Sequence, residues 1–167
     1  MCLRVTIVVP SSSKIKAIIE IAKEYGFSFD IVNNKSILEQ ISENEIYLGN
    51  IENGCECYTG IGAFDLYNRN IDDILEKFEN KDLINQMREE DMQKKKAYKD
   101  EAKKWLSLLR NLIDNNYVSR LGILLHFYHD ATDKEEIILK DKIFLKLTEV
   151  EPECLMKIKN DIIYYFE

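Results

Sequence analysis

The residues best equipped for chemistry are two thiols placed two positions apart. Cys55 and Cys57 stand in the run Asn53-Gly54-Cys55-Glu56-Cys57-Tyr58-Thr59-Gly60-Ile61-Gly62. Asn-Gly is the strongest two-residue hairpin signal, so residues 55–59 are expected to return antiparallel to residues 48–52. On a strand, side chains at i and i+2 project from one face. Two thiols so placed stand too far apart for ready disulfide closure but can converge on one metal ion. Zinc takes four ligands, commonly Cys and His. The chain holds four cysteines and two histidines. Cys2, His126 and His129 are therefore the candidates to join Cys55 and Cys57 in a zinc or thiol site. Paired C-x-x-C knuckles are absent, and the pattern does not separate a metal role from a redox one. The bland alternative is that each free Cys packs as a small hydrophobe.

Three other groups carry chemistry in principle. Removal of Met1 would leave Cys2 as an N-terminal nucleophile with its own amine as base; the plainer role is the residue before a strand. His126 and His129 lie in His-Phe-Tyr-His-Asp. Asp130 could orient a ring for metal or acid–base work, yet i and i+3 face opposite sides of a strand. A core His126 and a loop-entry His129 are the simpler expectation. Ser11, Ser12 and Ser13 follow an apolar run and open a helix, a place where free backbone N–H groups can hold an anion. No glycine lets a phosphate approach and no P-loop Lys-Ser/Thr pair exists, so capping alone would explain them. The carboxylate pairs Asp72-Asp73, Glu89-Glu90 and Glu135-Glu136 read as solvated faces, because paired acid–base carboxylates must converge on one pocket.

The elements that must position these groups follow from periodicity. Residues 3–9 (LRVTIVV) are nearly all apolar and β-branched, a buried strand ended by Pro10. Ile15, Ile18, Ile19, Ala22 and Tyr25 follow at helical spacing, and Gly26 suits a left-handed cap. Residues 27–32 alternate as a second strand. If the two strands share a sheet in parallel, their crossover should be right-handed. Ser36 and Glu39 have the spacing of a capping box. A third strand is centred on Ile46 and Leu48. Residues 81–114 carry a helical stripe through Trp105 and Leu109 but are polar all round from Arg88 to Lys96. One unbroken helix would reach about 50 Å, so it either projects or breaks near residues 91–95. A projecting helix would offer Met92 and Tyr98 to a partner or to a second copy, most simply as a homodimer. Residues 117–128 read as a central strand, 137–147 as a hairpin turning at residues 140–142, and 152–166 as a last helix with Pro152 in its first turn. The expected fold class is α+β in one domain: a mixed sheet with an N-terminal β-α-β unit and a hairpin, packed by amphipathic helices.

Charge and composition narrow the function classes. Twenty-three Lys and Arg face thirty Asp and Glu, for a net charge of −7 and a pI near 5.0. The densest basic run, Lys94 to Lys96, is flanked by Glu89, Glu90, Asp91, Asp100 and Glu101, which cancel its field within a Debye length. That argues against nucleic acid as a partner. No apolar run is long enough to span a membrane and no signal-peptide pattern opens the chain. A cytoplasmic location with reduced thiols is the resulting expectation. The sequence names no reaction. It offers two classes of function: a thiol or zinc site, and a regulatory or interaction module working through the long helix.

Overall fold

The computed structural model describes residues 2–49 and 59–167. The proposed hairpin with Cys55 and Cys57 lies outside them. Strand β1 (Cys2–Pro10) leads into helix α1 (Ile15–Glu24), the two-residue strand β2 (Asp30–Ile31), helix α2 (Lys35–Leu38) and strand β3 (Glu45–Gly49). Two short helices, α3 (Phe64–Asn68) and α4 (Asp72–Leu75), precede the long α5 (Lys81–Asp114). Strands β4 (Leu121–Tyr128) and β5 (Asp141–Leu145), helix α6 (Pro152–Met156) and strand β6 (Ile162–Phe166) complete the order.

The strands form one mixed sheet in the order β2-β3-β1-β4-β6-β5. β1 is antiparallel to both β3 and β4, β4 is antiparallel to β6, and β5 runs parallel to β6. β2 is antiparallel to β3 and so shares the direction of β1, with β3 inserted between them. The expected α+β class and β-α-β opening are both present. β1 and β4 occupy the centre because their sequences are apolar on both faces: Val5 to Val9 and Leu121 to Leu125 are all buried except for small differences in degree.

The pleat divides the core in two. On one face Val5, Ile7, Val9, Ile123 and Leu125 pack against Ile18 and Ala22 of α1 and against Ala102, Trp105 and Leu109 of α5. On the other, Val8, Tyr47, Leu124, Tyr128, Ile163 and Tyr165 meet Ile37 and Ile41 at α2, with Ile137 from the segment after β4. α2 is capped by Asn34, whose side chain accepts from the Ile37 N–H, rather than by Ser36. The Ser36 hydroxyl instead donates to Asn34 Oδ1, and Asn34 is fully buried.

α5 does not break. Its second half buries Tyr98, Ala102, Trp105, Leu106, Leu108, Leu109 and Leu112. Its first half buries only Asp91, which is salt-bridged to Lys95 at 2.8 Å and to Arg69 at 3.2 Å. Charge pairing therefore covers the turn that has no apolar residue to bury. The C-terminal region also departs from its helical reading. α6 stops at Met156, Asp161 adopts a left-handed φ of 66°, and residues 162–166 (IIYYF) extend along β4. β-branched and aromatic side chains suit a pleated surface, and β4 offers a free flank. No hairpin forms at residues 140–142, because β5 pairs in parallel with β6 instead.

Candidate functional site

β4 outruns its neighbour. β6 pairs only with residues 121–124, while β1 pairs with β4 as far as Tyr128. On the β6 side, residues 125–128 must find other polar partners. The left-handed turn supplies one: the Asp161 N–H donates to the Leu125 carbonyl (2.9 Å) and the Asp161 carbonyl accepts from the Lys140 N–H (2.7 Å). Aspartate tolerates positive φ better than most residues, so this position can carry both the turn and a carboxylate.

That carboxylate lies at the middle of a charged chain. Asp161 Oδ1 is 2.6 Å from His126 Nδ1, and Oδ2 is 2.8 Å from Lys140 Nζ. His126 Nε2 makes no hydrogen bond and stands 3.6 Å from Glu135 Oε1. Glu135 Oε2 accepts from the N–H groups of His129 (2.9 Å) and Asp130 (2.7 Å), which closes residues 129–135 into a loop. Burial pushes the Asp161 carboxyl up, but hydrogen bonds from Lys140 and His126 together hold it below its ordinary value. Burial likewise opposes ionisation of Glu135, and the two backbone N–H groups with His126 more than offset it. The imidazole is thus flanked by two ionised carboxylates. Arg4, its cross-strand partner, donates from Nη1 to Thr132 Oγ1 at 2.6 Å. The Asn34 amide donates to the carbonyls of Thr132 and Glu135. Beneath them the hydroxyls of Tyr47 and Tyr128 meet at 2.5 Å, both phenols pushed up chiefly by burial.

On the α5 side of the same turn lies a cleft of about 620 Å³, within the size range of small-molecule sites. Its apolar floor includes Leu125, Met156, Ile158, Ile162 and Phe64. Its polar lining is Lys140, Lys157, Lys159, Asn160 and Asp65. Lys157 Nζ sits 4.7 Å from the centre of the Phe64 ring. Three lysines and one aspartate are thus among the lining residues of one cleft in a chain whose net charge is −7.

The residues singled out in the sequence are dispersed. Cys2 opens β1 opposite Tyr128, on the face that carries Arg4 and His126. It bears a free thiol, as does Cys154 on α6. His126 lies on the sheet and His129 is exposed in the following loop. Among the described residues no three His, Cys, Asp or Glu side chains are grouped to hold a metal. Ser11, Ser12 and Ser13 form a turn. The Ser11, Ser13, Lys14 and Ile15 N–H groups donate to Asn44, Pro10, Tyr117 and Ser13 carbonyls, and α1 has no side-chain cap. The N–H groups an anion would need there are thus largely engaged. Tyr98 is 7% exposed within the main core, whereas Met92 is 63% exposed. Sequence reasoning missed Asp161, Lys140, Lys157 and Lys159. The one local signal was Asn160-Asp161, a turn-forming pair set in an apparent helix. Among the described residues no helix is long and apolar enough to cross a membrane. No protein-family model matches the chain, and neither does any curated protein or solved structure.

Proposed function

We propose that the chain binds a small amphipathic anion, a carboxylate or phosphate ester with an apolar portion, in the cleft beside the Asp161 turn. The observation that carries this reading is the presence of Lys140, Lys157 and Lys159 in the lining of one cleft with an apolar floor in an acidic protein. Apolar walls with a few directed polar groups are what a small-ligand site requires. Ammonium groups are strongly hydrated point charges, suited to carboxylate or phosphate without bidentate geometry. The test is a calorimetric and NMR titration with phenyl phosphate, octanoate and inorganic phosphate. Binding should centre on Leu125, Lys157 and Ile162 and should weaken with salt. The double variant Lys157→Gln, Lys159→Gln should bind about tenfold more weakly, since each exposed pair contributes up to about 1 kcal/mol. Saturation at those residues by none of the three compounds would refute the reading.

A second reading keeps the zinc or thiol site of Cys55, Cys57 and Cys2 with His126. What favours it is the His126 ring, whose Nδ1 meets a carboxylate while Nε2 makes no hydrogen bond. That is the arrangement in which a second-layer carboxylate orients a metal-ligating imidazole. Elemental analysis of untagged protein with thiol titration on the same sample tests it. Near-stoichiometric zinc, released as Cys55 and Cys57 are modified, is the supporting result. Four free thiols with no metal would end it.

A further inference from the structure

We propose that the open flank of β5 binds an extended acidic segment of a partner protein as an added strand, of the pattern acid-x-aromatic-x-acid. Among the described residues β5 ends the sheet. The opposite edge, β2, is blunted by being only two residues long. β5 has five residues and pairs on one flank, in parallel with β6. In a strand the N–H and C=O of one residue point to the same flank, and successive residues alternate. The Glu167 N–H donates to the Leu145 carbonyl and the Leu147 N–H to the Glu167 carbonyl, so Ile143 and Leu145 serve β6. Lys142, Phe144 and Lys146 therefore present their main-chain groups to the open flank. Two of these groups are engaged: the Lys142 N–H donates to Asp141 Oδ1 (2.8 Å), and the Lys146 carbonyl accepts from the Glu149 N–H (3.0 Å). The Phe144 N–H and C=O, the Lys142 carbonyl and the Lys146 N–H remain to be paired. That is the edge an antiparallel peptide extends by strand addition.

The side chains select the occupant. Lys142, Phe144 and Lys146 stand on one face of the chain, and all three are exposed. Phe144, 54% exposed, is stacked on Tyr165 with ring centres 5.0 Å apart. The Arg120 guanidinium lies 5.8 Å from the Phe144 ring centre. The Lys142 ammonium donates to the Gln40 carbonyl (2.5 Å), beside the end of α2. When an incoming residue lies opposite Phe144, the residues two positions to either side lie opposite Lys142 and Lys146. Carboxylates at those two places make opposite-charge cross-strand pairs, and an aromatic ring between them extends the stack. A second copy of the chain is the wrong occupant. Two β5 strands paired antiparallel about Phe144 set Lys142 against Lys146 twice, and like charges directly opposite are destabilising. Lysine on an edge guards against self-pairing; here it excludes the copy and admits a strand of opposite charge. None of residues 141–146 lines the cleft, so the two sites stand or fall separately.

The experiment is an NMR titration of the full chain with the blocked heptapeptide TEVFVET, and with TKVFVKT as its charge-reversed control. Bound TEVFVET should shift the Phe144 and Lys146 amides and protect them from exchange. The Ile143 and Leu145 amides, already turned to β6, should change little. TKVFVKT should bind about tenfold more weakly, the scale of two reversed cross-strand pairs. The double variant Lys142→Glu, Lys146→Glu alters two exposed side chains and should invert that order. An N-methyl group on the peptide's phenylalanine removes the donor opposite Phe144 and should abolish binding. Absence of a saturable shift at Phe144 and Lys146 would overturn the proposal, as would equal binding of the two peptides or of the N-methylated one. A dimer in sedimentation that protects the Phe144 amide without peptide would overturn it as well, by giving the edge to a second copy.

Discussion

Replacing Asp91 by alanine should loosen one part of the molecule and leave the rest intact. Asp91 is 5% exposed on α5. It takes Lys95 at 2.8 Å on Oδ2 and Arg69 at 3.2 Å on Oδ1, and Lys95 also donates to the Arg69 carbonyl. These contacts, with Arg88 Nε and Nη2 both donating to Asp72 Oδ1, hold α3 and α4 against the half of α5 that buries no apolar side chain. A hydrogen bond to a charged group contributes about 1.5–3 kcal/mol when buried. The Arg69 and Lys95 side chains are 46% and 27% exposed and would rehydrate on truncation, which lowers the expected loss to about 1–2 kcal/mol. Expressed as local opening, that is roughly tenfold faster amide exchange over residues 64–78. The single tryptophan, Trp105, is 1% exposed in the main core. Its fluorescence should report a urea midpoint shifted by less than the local loss implies. The pH dependence has a definite sign. Burial raises the Asp91 carboxyl, but Lys95 and Arg69 hold it below its ordinary 3.8. Its contribution is therefore complete above that value and is lost as pH falls through the lower folded value. Native protein should come to exchange like the variant only below about pH 3.8. Unchanged exchange over residues 64–78 in Asp91→Ala, or full loss of the difference by pH 6, would show that the ion pairs do not hold this segment.

Two further perturbations follow from the packing. A Cβ on Gly60 would overlap the Tyr98 carbonyl oxygen and stand 3.0 Å from the Ala102 amide nitrogen. Neither backbone atom can yield without opening α5, so Gly60→Ala should lose about 3 kcal/mol by urea denaturation; a loss below 1 kcal/mol would refute the close approach. Glu45 and Arg120 should respond unequally. Glu45 has a side chain 3% exposed and Arg120 one 33% exposed, so Arg120→Met strands a buried carboxylate with only the Tyr165 hydroxyl and the Ser42 N–H. It should cost about 3 kcal/mol, clearly more than Glu45→Gln, whose arginine rehydrates. Equal losses in the two thermal or urea unfolding series would contradict that asymmetry.

What the sequence made legible was what local pattern carries. The run at residues 3–9, the helix after it, the central strand ending at Tyr128 and the stripe through Trp105 and Leu109 all express burial as periodicity, and all four form. The unbroken middle of α5 was illegible because its one buried residue is an aspartate; a reading that equates polar with solvated sees a gap there. The last element was misread because Leu155, Ile158, Ile162 and Phe166 fit a helical stripe as well as two separate elements do. The deciding facts were the Asn160-Asp161 turn and a flank of β4 about 40 residues upstream. β5 was read as half of a hairpin because its partner lies beyond α6 rather than across a turn.

The site was hidden for a related reason, one that also explains why it is where it is. His126, Glu135, Lys140 and Asp161 come from a strand, two loops and a turn, and no spacing among them is a motif. They meet because β4 extends past the first paired residue of β6, Ile163 opposite Leu124. Four residues of a central strand are left with one flank unladdered, and buried backbone polar groups must be satisfied. The chain meets the demand with a left-handed aspartate whose N–H serves Leu125. Once that backbone is fixed, its carboxylate must be satisfied in turn, and His126 and Lys140 are the groups within reach. The same turn stands the α6–β6 connection off from the sheet, so that Lys157, Lys159 and Asn160 border a cleft floored by Leu125. The charged chain on one face and the lysine-lined cleft on the other are thus two consequences of a single mismatch in strand length. A change that lengthened β6 by two residues toward its N-terminus would remove both together.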